Sequence, residues 1–421
     1  MAAFLDGVGR PQEGLRFIHV AGTNGKGSVA ATMLTVLVEA GYRVGLYTSP
    51  HLSTVRERFR INHAYISREE FAQQATRVKD SLAGQQITYF EFTTALALLW
   101  FAQEEVDLVI LEVGLGGRLD ATNVITPLVG VITNIAMDHE AYLGHTLTAV
   151  AWEKAGIIKL GVPLVSGLSG EEPLAVVRER CTELAAPLFL LGRDFQGEVK
   201  GEGEWSYRSW EEGWNLPCLG LGLAGRYQVD NAAVALATLE ILAGQGFGIT
   251  PDVVRRALPK VKWPGRMEYF RLTEPDLQPV DSSDIGRAPD QYRRYLLDGA
   301  HNPAGVQALA ATLTSMFDRR RLIMVWASMG DKDFGRSLAL IIPYCDQLIF
   351  TRPESERSAT PAQLLENVPA KYRPHCRTAE SVGEALTMAR RETDGRDLIG
   401  VAGSLYLIGA AREILLGEPV P

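Results

Sequence analysis

Residues Gly22–Ser28 read GTNGKGS and stand directly between an apolar run, Leu15–Val20, and a stretch with helical periodicity, Lys26–Ala40. A glycine-rich turn in that position needs a strand feeding it and a helix leaving it. This commits the chain to βα units and a mainly parallel sheet. Glycines let backbone N–H groups curl around phosphate oxygens, so Thr23, Asn24, Gly25, Lys26, Gly27 and Ser28 form a candidate cradle. Lys26 supplies a cation for terminal phosphates, and the Ser28 hydroxyl can ligate a magnesium ion at the positive end of the helix. The bland alternative is a tight turn with a solvent-facing lysine. The order also departs from GxxxxGK[ST], because Gly27 intervenes between Lys26 and Ser28.

The βα rhythm continues along the chain. Predicted strands are Leu15–Val20, Val44–Tyr47, Leu108–Val113, Val129–Asn134 and Pro163–Ser166. Predicted helices are Lys26–Ala40, one beginning at Ser67 with a Ser67/Glu70 capping spacing, Thr93–Gln103 and Leu147–Ile157. The run DLVILEV reads as a central strand buried on both faces, and Glu112 near its end projects where ligands of open α/β sheets bind. Phe195–Trp214 has no helical period and suggests short antiparallel strands or loop. A helix over Val229–Ala243 and a linker, Pro259–Arg266, follow. Beyond the linker, Tyr295–Leu297, Leu322–Trp326, Leu348–Thr351 and Leu398–Ala402 read as strands of a second α/β domain, with Glu274–Gln291 as an insertion loop.

Composition narrows the partners. The formal charge is −8, from 42 basic and 50 acidic residues, which argues against coating nucleic acid or an anionic membrane. The four cysteines form no CxxC pair, and neither an export signal nor a span of ~18 apolar residues is present, so a cytoplasmic location is expected. Glycine stands at 41, where average usage of ~7% gives roughly 29. Many of the extra glycines cluster in short motifs.

Those motifs include FIHVAGTNGKGS (17–28), TSPHL (48–52), FE with TTA (90–95), LEVGLGGRLDATN (111–123), DHE (138–140), EKAGI (153–157), YQVDNAA (227–233), WPGRME (263–268), LDGAHNPAG (297–305), MGDKD (329–333) and GSLYL (403–407). In this order they resemble the Mur ligase superfamily, and within it the folylpolyglutamate synthase and dihydrofolate synthase family. The resemblance implies a P-loop ATPase-type domain of the Mur ligase central type over 1–264. It also implies a smaller Rossmann-like ligase domain over 265–421. The implied reaction phosphorylates a carboxylate with ATP, and the amine of L-glutamate then attacks the acyl phosphate, releasing ADP and phosphate. The acceptor is a folate or, in the bifunctional bacterial type, dihydropteroate.

The resemblance also distributes roles. Glu112 and Ser49 match magnesium ligands and His139 a ligand of a second Mg2+, while Lys154 matches a lysine carbamylated by CO2. Without the resemblance, His139 reads as a capping or packing residue and Lys154 as half of an ion pair. Asn231 resembles an adenine contact, and Arg266, Asp298 and His301 resemble groups brought to the nucleotide's phosphates and ribose. Asp120 with Ala121 matches positions near a pterin, and Ser404 with Tyr406 an amino acid site. Catalytic roles thus fall to Lys26, Lys154, His139, Arg266 and His301 in a monomer. The rivals are a peptidoglycan Mur ligase, which needs a further acceptor domain where 21 residues precede Gly22, and a P-loop ATPase switch without a covalent product.

Overall fold

Five consecutive buried residues, Phe17–Ala21, form the strand β1 that delivers the chain into the glycine turn. In this computed structural model the described residues are 1–82, 84–201, 203–210, 213–280, 288–330 and 332–417. Residues 281–287 of the predicted insertion loop, Asp331 of MGDKD, and Glu202, Glu211 and Glu212 within 195–214 lie outside them. Contacts divide the chain into two units. One comprises Met1–His51, Val55–Gly222 and Arg226–Lys262, and the other Leu52–Thr54, Leu223–Gly225 and Trp263–Pro421.

The first unit adds β2 (Val44–Tyr47), β3 (Phe59–Ile61), β4 (Ala64–Tyr65), β5 (Leu108–Glu112), β6 (Val129–Ile132), β7 (Leu164–Ser166) and β8 (Leu188–Leu190) in one sheet, ordered β4-β3-β2-β5-β1-β6-β7-β8. Only the β2–β3 and β3–β4 pairings are antiparallel. Strands β1, β2, β5, β6 and β7 are buried at every residue, as a parallel sheet covered on both faces demands. The β3–β4 hairpin escapes the sequence reading because strands of three and two residues are too short to show alternation. It turns at Asn62, in the left-handed region at φ 54°, whose side chain accepts the Val44 amide.

Helices run close to their predicted limits. The helix after the glycine turn spans Lys26–Glu39, and Arg68–Ser81 begins with the expected reciprocal Ser67/Glu70 capping box. Tyr89–Gln103 starts four residues earlier than predicted because Thr88 and Glu91 form a second capping box, a feature worth ~1 kcal/mol. Leu147–Ala155 and Arg226–Gly244 follow. The segment after β8 forms an antiparallel sheet of β9 (Gln196–Gly201), β10 (Glu204–Arg208) and β11 (Asn215–Leu219). Glu240, on the long helix, fastens that sheet by accepting from Tyr207 Oη (3.0 Å) and Ser209 Oγ (2.8 Å).

The second unit contains β12 (Glu268–Thr273), β13 (Tyr292–Asp298), β14 (Leu322–Trp326), β15 (Gln347–Phe350), β16 (Cys376–Thr378) and β17 (Leu398–Ala402), ordered β12-β13-β17-β14-β15-β16. All neighbours are parallel except β12 and β13. Both sheets are therefore dominated by parallel strands.

Register places the functional segments. In the first sheet Val20 pairs with Glu112, Ala21 with Ile132 and Tyr47 with Leu111, so the turns after β1, β2, β5 and β6 emerge along one edge. In the second, Asp298 and Trp326 both lie beside Ala402. The chain leaves β17 through Gly403 at φ +102°, where a Cβ would stand 2.3 Å from the Ala327 carbonyl oxygen and 2.6 Å from the Trp326 ring. Gly403→Ala is expected to destabilise the protein by ~2–3 kcal/mol through left-handed strain and overpacking, read as a lower urea midpoint at an unchanged m-value.

Candidate active site

The glycine turn is braced by the chain leaving β6. Asn24 N donates to Asn134 Oδ1 (2.8 Å), Thr133 Oγ1 donates to the Asn24 carbonyl (2.6 Å), and Thr23 N donates to the Asn134 carbonyl (3.0 Å). Thr23 Oγ1 closes the brace by donating to the Ala136 carbonyl at 3.1 Å. Gly25, at φ +83°, caps the helix that starts at Lys26 and lies against Asn231, whose Oδ1 would be 2.4 Å from a Cβ there. Asn231 in turn donates to Gln228 Oε1 (2.9 Å). Gly27 continues the turn into this helix and Ser28 is buried within its first turn. A curled turn ending on a helix N-terminus with room for an anion fits a polyphosphate.

Two lysines converge on this turn. Lys26 Nζ donates back to the carbonyls of Gly22 (3.0 Å) and Thr23 (3.2 Å) and lies 4.0 Å from Glu112 Oε1. Lys154, only 4% exposed, also donates to the Gly22 carbonyl, at 3.0 Å. Its partner is thus a backbone oxygen and not the carboxylate of a simple ion pair. Burial, with the Lys26 charge added, depresses its pKa from 10.5 to about 7, while Asp138 and Asp120 oppose the shift. An amine in that state is partly unprotonated at neutral pH, hence nucleophilic.

Among the described residues no three of His, Cys, Asp and Glu gather into a metal cage. A hard divalent ion that arrives with phosphate oxygens needs only one or two carboxylates, so buried Glu112 and the Ser28 hydroxyl fit one. Ser49 is half-buried just beyond β2, next to β5 in the sheet. His139 adopts φ 51° before the short helix Glu140–Leu143, with Nε2 4.0 Å from Asp138 Oδ2.

Asp120 is spent inside its own loop. Oδ2 accepts from the amides of Gly114 (3.1 Å) and Leu115 (2.9 Å), and Oδ1 from the Thr122 amide (2.9 Å) and hydroxyl. Half-buried Ala121 rides on the loop so fixed. Burial raises the Asp120 pKa, and these donors oppose the rise. The Thr122 hydroxyl also meets His19 Nε2, at 2.9 Å. His19 and Asp138 belong to quoted motifs, yet their local surroundings in sequence give no hint of these contacts.

In the second unit Asp298 ends β13, accepting from Met267 N and Ala300 N, both at 2.9 Å. Burial raises its pKa, and the nearby Arg266 is the first influence opposing the rise. Arg266 Nη1 donates to the Gly265 carbonyl (3.1 Å), and Glu268 accepts the Gly265 amide while binding Arg412 through both carboxylate oxygens. His301 Nδ1 donates to the Gly299 carbonyl (2.8 Å), and the Gly403 amide reaches the Ala300 carbonyl (2.9 Å). Ser404 is buried 3.7 Å from Met329 Sδ at the start of the helix Leu405–Leu416, whereas Tyr406 is exposed. Register thus brings Asp298, His301 and Ser404 to one edge of this sheet, as it brings the glycine turn and Glu112 together in the first, where Lys154 joins them from its helix through the Gly22 carbonyl.

Lys154 generates a stability prediction. Between about pH 7 and 10.5 the unfolded chain holds a proton that the folded protein lacks, so this group's destabilisation is full below about pH 7 and fades as pH rises towards 10.5. Lys154→Met in CO2-depleted buffer is expected to raise the Tm most at pH 6–7, with the gain gone near pH 10.5. A gain independent of pH would contradict the assignment.

The Mur ligase middle domain family matches residues 20–163, and the Mur ligase, glutamate ligase domain family matches residues 285–405. The folylpolyglutamate synthase of Lacticaseibacillus casei is 34% identical over 98% of this chain and 93% of its own length. The structure of E. coli FolC in complex with DHPP and ADP superposes with a TM-score of 0.84 at 30% identity, covering 99% of this chain and 91% of that one. A bifunctional folylpolyglutamate synthase/dihydrofolate synthase with Mn, AMPPNP and L-glutamate bound gives 0.84 at 28% identity, covering 99% of this chain and 93% of that one. With the phosphate turn, the buried lysine and both sheets in place, the chain belongs to the folylpolyglutamate synthase/dihydrofolate synthase family of Mur ligases.

Proposed function

We propose that this chain is an ATP-dependent ligase that adds L-glutamate to folates through an acyl phosphate, and that it also converts dihydropteroate to dihydrofolate. The observation that carries the reading is the glycine turn with Lys26 in front and the buried Lys154 behind, both on the Gly22 carbonyl. An acceptor carboxylate oxygen attacks the γ-phosphorus of ATP, and the bond to the β,γ-bridging oxygen breaks to release ADP. The free amine of glutamate then attacks the acyl carbon and loses a proton as phosphate departs, leaving an amide.

The turn's amides and Lys26 hold the phosphates, and Asn231, packed on Gly25, faces the adenine. Ser28, Ser49, Glu112 and His139 would hold two Mg2+, which supply charge neutralisation on the phosphoryl oxygens. Lys154, as its neutral amine, adds to CO2 and loses a proton to become a carbamate, replacing a buried cation by an anion that suits a metal-rich site. Arg266, Asp298 and His301 serve the nucleotide, Ser404 and Tyr406 the glutamate, and the loop held by Asp120 and carrying Ala121 serves the pterin. On this reading residues 1–264 are the ATP-binding domain and 265–421 the ligase domain of a cytoplasmic monomer. Free thiols at all four cysteines support that location, and no described helix is long and apolar enough to cross a membrane.

ADP release by the purified protein is expected to require both glutamate and a folate or dihydropteroate, with a product heavier by one glutamyl residue. Release indifferent to either substrate would favour an ATPase switch, and the absence of dihydrofolate from dihydropteroate would remove the synthase half. Lys154→Ala is expected to lose at least ~100-fold in kcat and to be partly rescued by short carboxylic acids standing in for the carbamate.

A further inference from the structure

His19 is a polar ring in the middle of a strand of otherwise apolar side chains, fully buried, with Nδ1 meeting no hydrogen-bond partner among the described residues. Burial drives its pKa down to about 3, with the Lys159 charge helping, so the ring is neutral and carries one N–H. Both Asp120 oxygens accept, and the Thr122 hydroxyl donates its only proton to Oδ1. The contact between Thr122 Oγ1 and His19 Nε2 at 2.9 Å then has one polarity: Nε2–H donates and the hydroxyl accepts. The tautomer follows, and it leaves Nδ1 as the bare acceptor. A strand core that tolerates an orphaned ring nitrogen keeps the ring for its N–H.

The relay ends in a loop with two attachments. At one end Asp120 gathers the amides of Gly114 and Leu115, immediately beyond Glu112. At the other the Arg118 amide donates to the Glu153 carbonyl (2.8 Å), the Arg118 guanidinium pairs with Glu153 (3.0 Å), and Asn123 Nδ2 reaches the Gly156 carbonyl (3.1 Å). The loop therefore lies on the end of the helix that carries Lys154, and it exposes Leu115 and Leu119 to solvent.

We propose that His19 is a positioning residue for the acceptor: through Thr122 and Asp120 it fixes the 114–122 loop in the shape that receives the folate or dihydropteroate. The inference rests on the reading above that this loop serves the pterin. His19 lies three residues before Gly22, so a general defect of its strand would disturb nucleotide binding, whereas loss of the relay disturbs the acceptor alone. That difference separates positioning from mere structure.

The experiment measures KM for ATP, glutamate and each acceptor, with kcat, for the wild type, His19→Leu, Thr122→Val, the double variant and His19→Gln. Circular dichroism establishes folding of each, and the near-isosteric Thr122→Val covers the case in which His19→Leu does not fold. Removing the donor or the relay hydroxyl should raise the acceptor KM about tenfold or more, leaving KM for ATP and glutamate within about twofold. The double variant should be no worse than either single one, because the two residues form one chain. His19→Gln, which can place an amide N–H where Nε2 stood, should recover most of the acceptor affinity. An unchanged acceptor KM, a parallel rise in KM for ATP, or single effects that multiply in the double variant would each overturn the proposal. Wild-type protein that turns over without any acceptor would instead overturn the reading on which it rests.

Discussion

A cation held out of water behind a phosphate-binding turn is the constraint on which the first unit depends. Lys154 and Lys26 both donate to the Gly22 carbonyl, so two amines meet at one backbone oxygen, the buried Lys154 on one side and on the other the half-buried Lys26, 4.0 Å from Glu112. Burial first and the Lys26 charge second disfavour the protonated form of Lys154, and relief comes from losing a proton or acquiring a negative group. The chemistry required of Lys154 is thus written into its surroundings before any ligand enters. The bracing by Thr133, Asn134 and Ala136 gives the polar groups of the turn partners on the chain leaving β6.

Parallel register turns this local chemistry into a site. Because β1 pairs with both β5 and β6, segments 92 and 111 residues apart in sequence, Val20 with Glu112 and Ala21 with Ile132, end at the same edge. The second unit repeats the device with β13, β17 and β14, which bring Asp298, Ser404 and Met329 to one edge. In each case burial lifts a carboxylate pKa, and the backbone amides gathered around the group oppose the rise without cancelling it. Asp120 and Asp298 are both treated this way.

Elements built on long apolar runs were legible in the sequence: β2, β14 and β17 fall at their predicted limits, and the capping pair Ser67/Glu70 closes as its spacing suggests. Short elements at or next to a sheet edge were not legible. Strands β3, β4, β8, β12 and β16 have two to six residues and owe their conformation to a neighbour's free backbone groups, which no local pattern encodes. The same division holds at the site. Lys26 and Glu112 announce themselves by motif and strand end, whereas the pairing of His19 with Thr122, 103 residues away, exists only once the sheet has formed. Lys154 lies between these cases: its motif pointed to the pocket, but only its burial distinguishes it from a lysine in an ion pair.

The helix Leu405–Leu416 has polar attachments near both ends, with Ser404 set against Met329 at its start and Arg412 gripping Glu268, two residues from Arg266, towards its finish. Its 12 residues make a strut of roughly 18 Å. Side chains on its outer face can vary freely, as the exposed Ile414 suggests, but its length cannot. One residue inserted in the interior would rotate one end against the other by about 100°, carrying Arg412 away from Glu268 while Ser404 stayed in place. Sequence drift along this helix should therefore be tolerant of substitution and intolerant of insertion or deletion, a geometric bookmark that holds the Arg266 turn and the Ser404 turn in one frame.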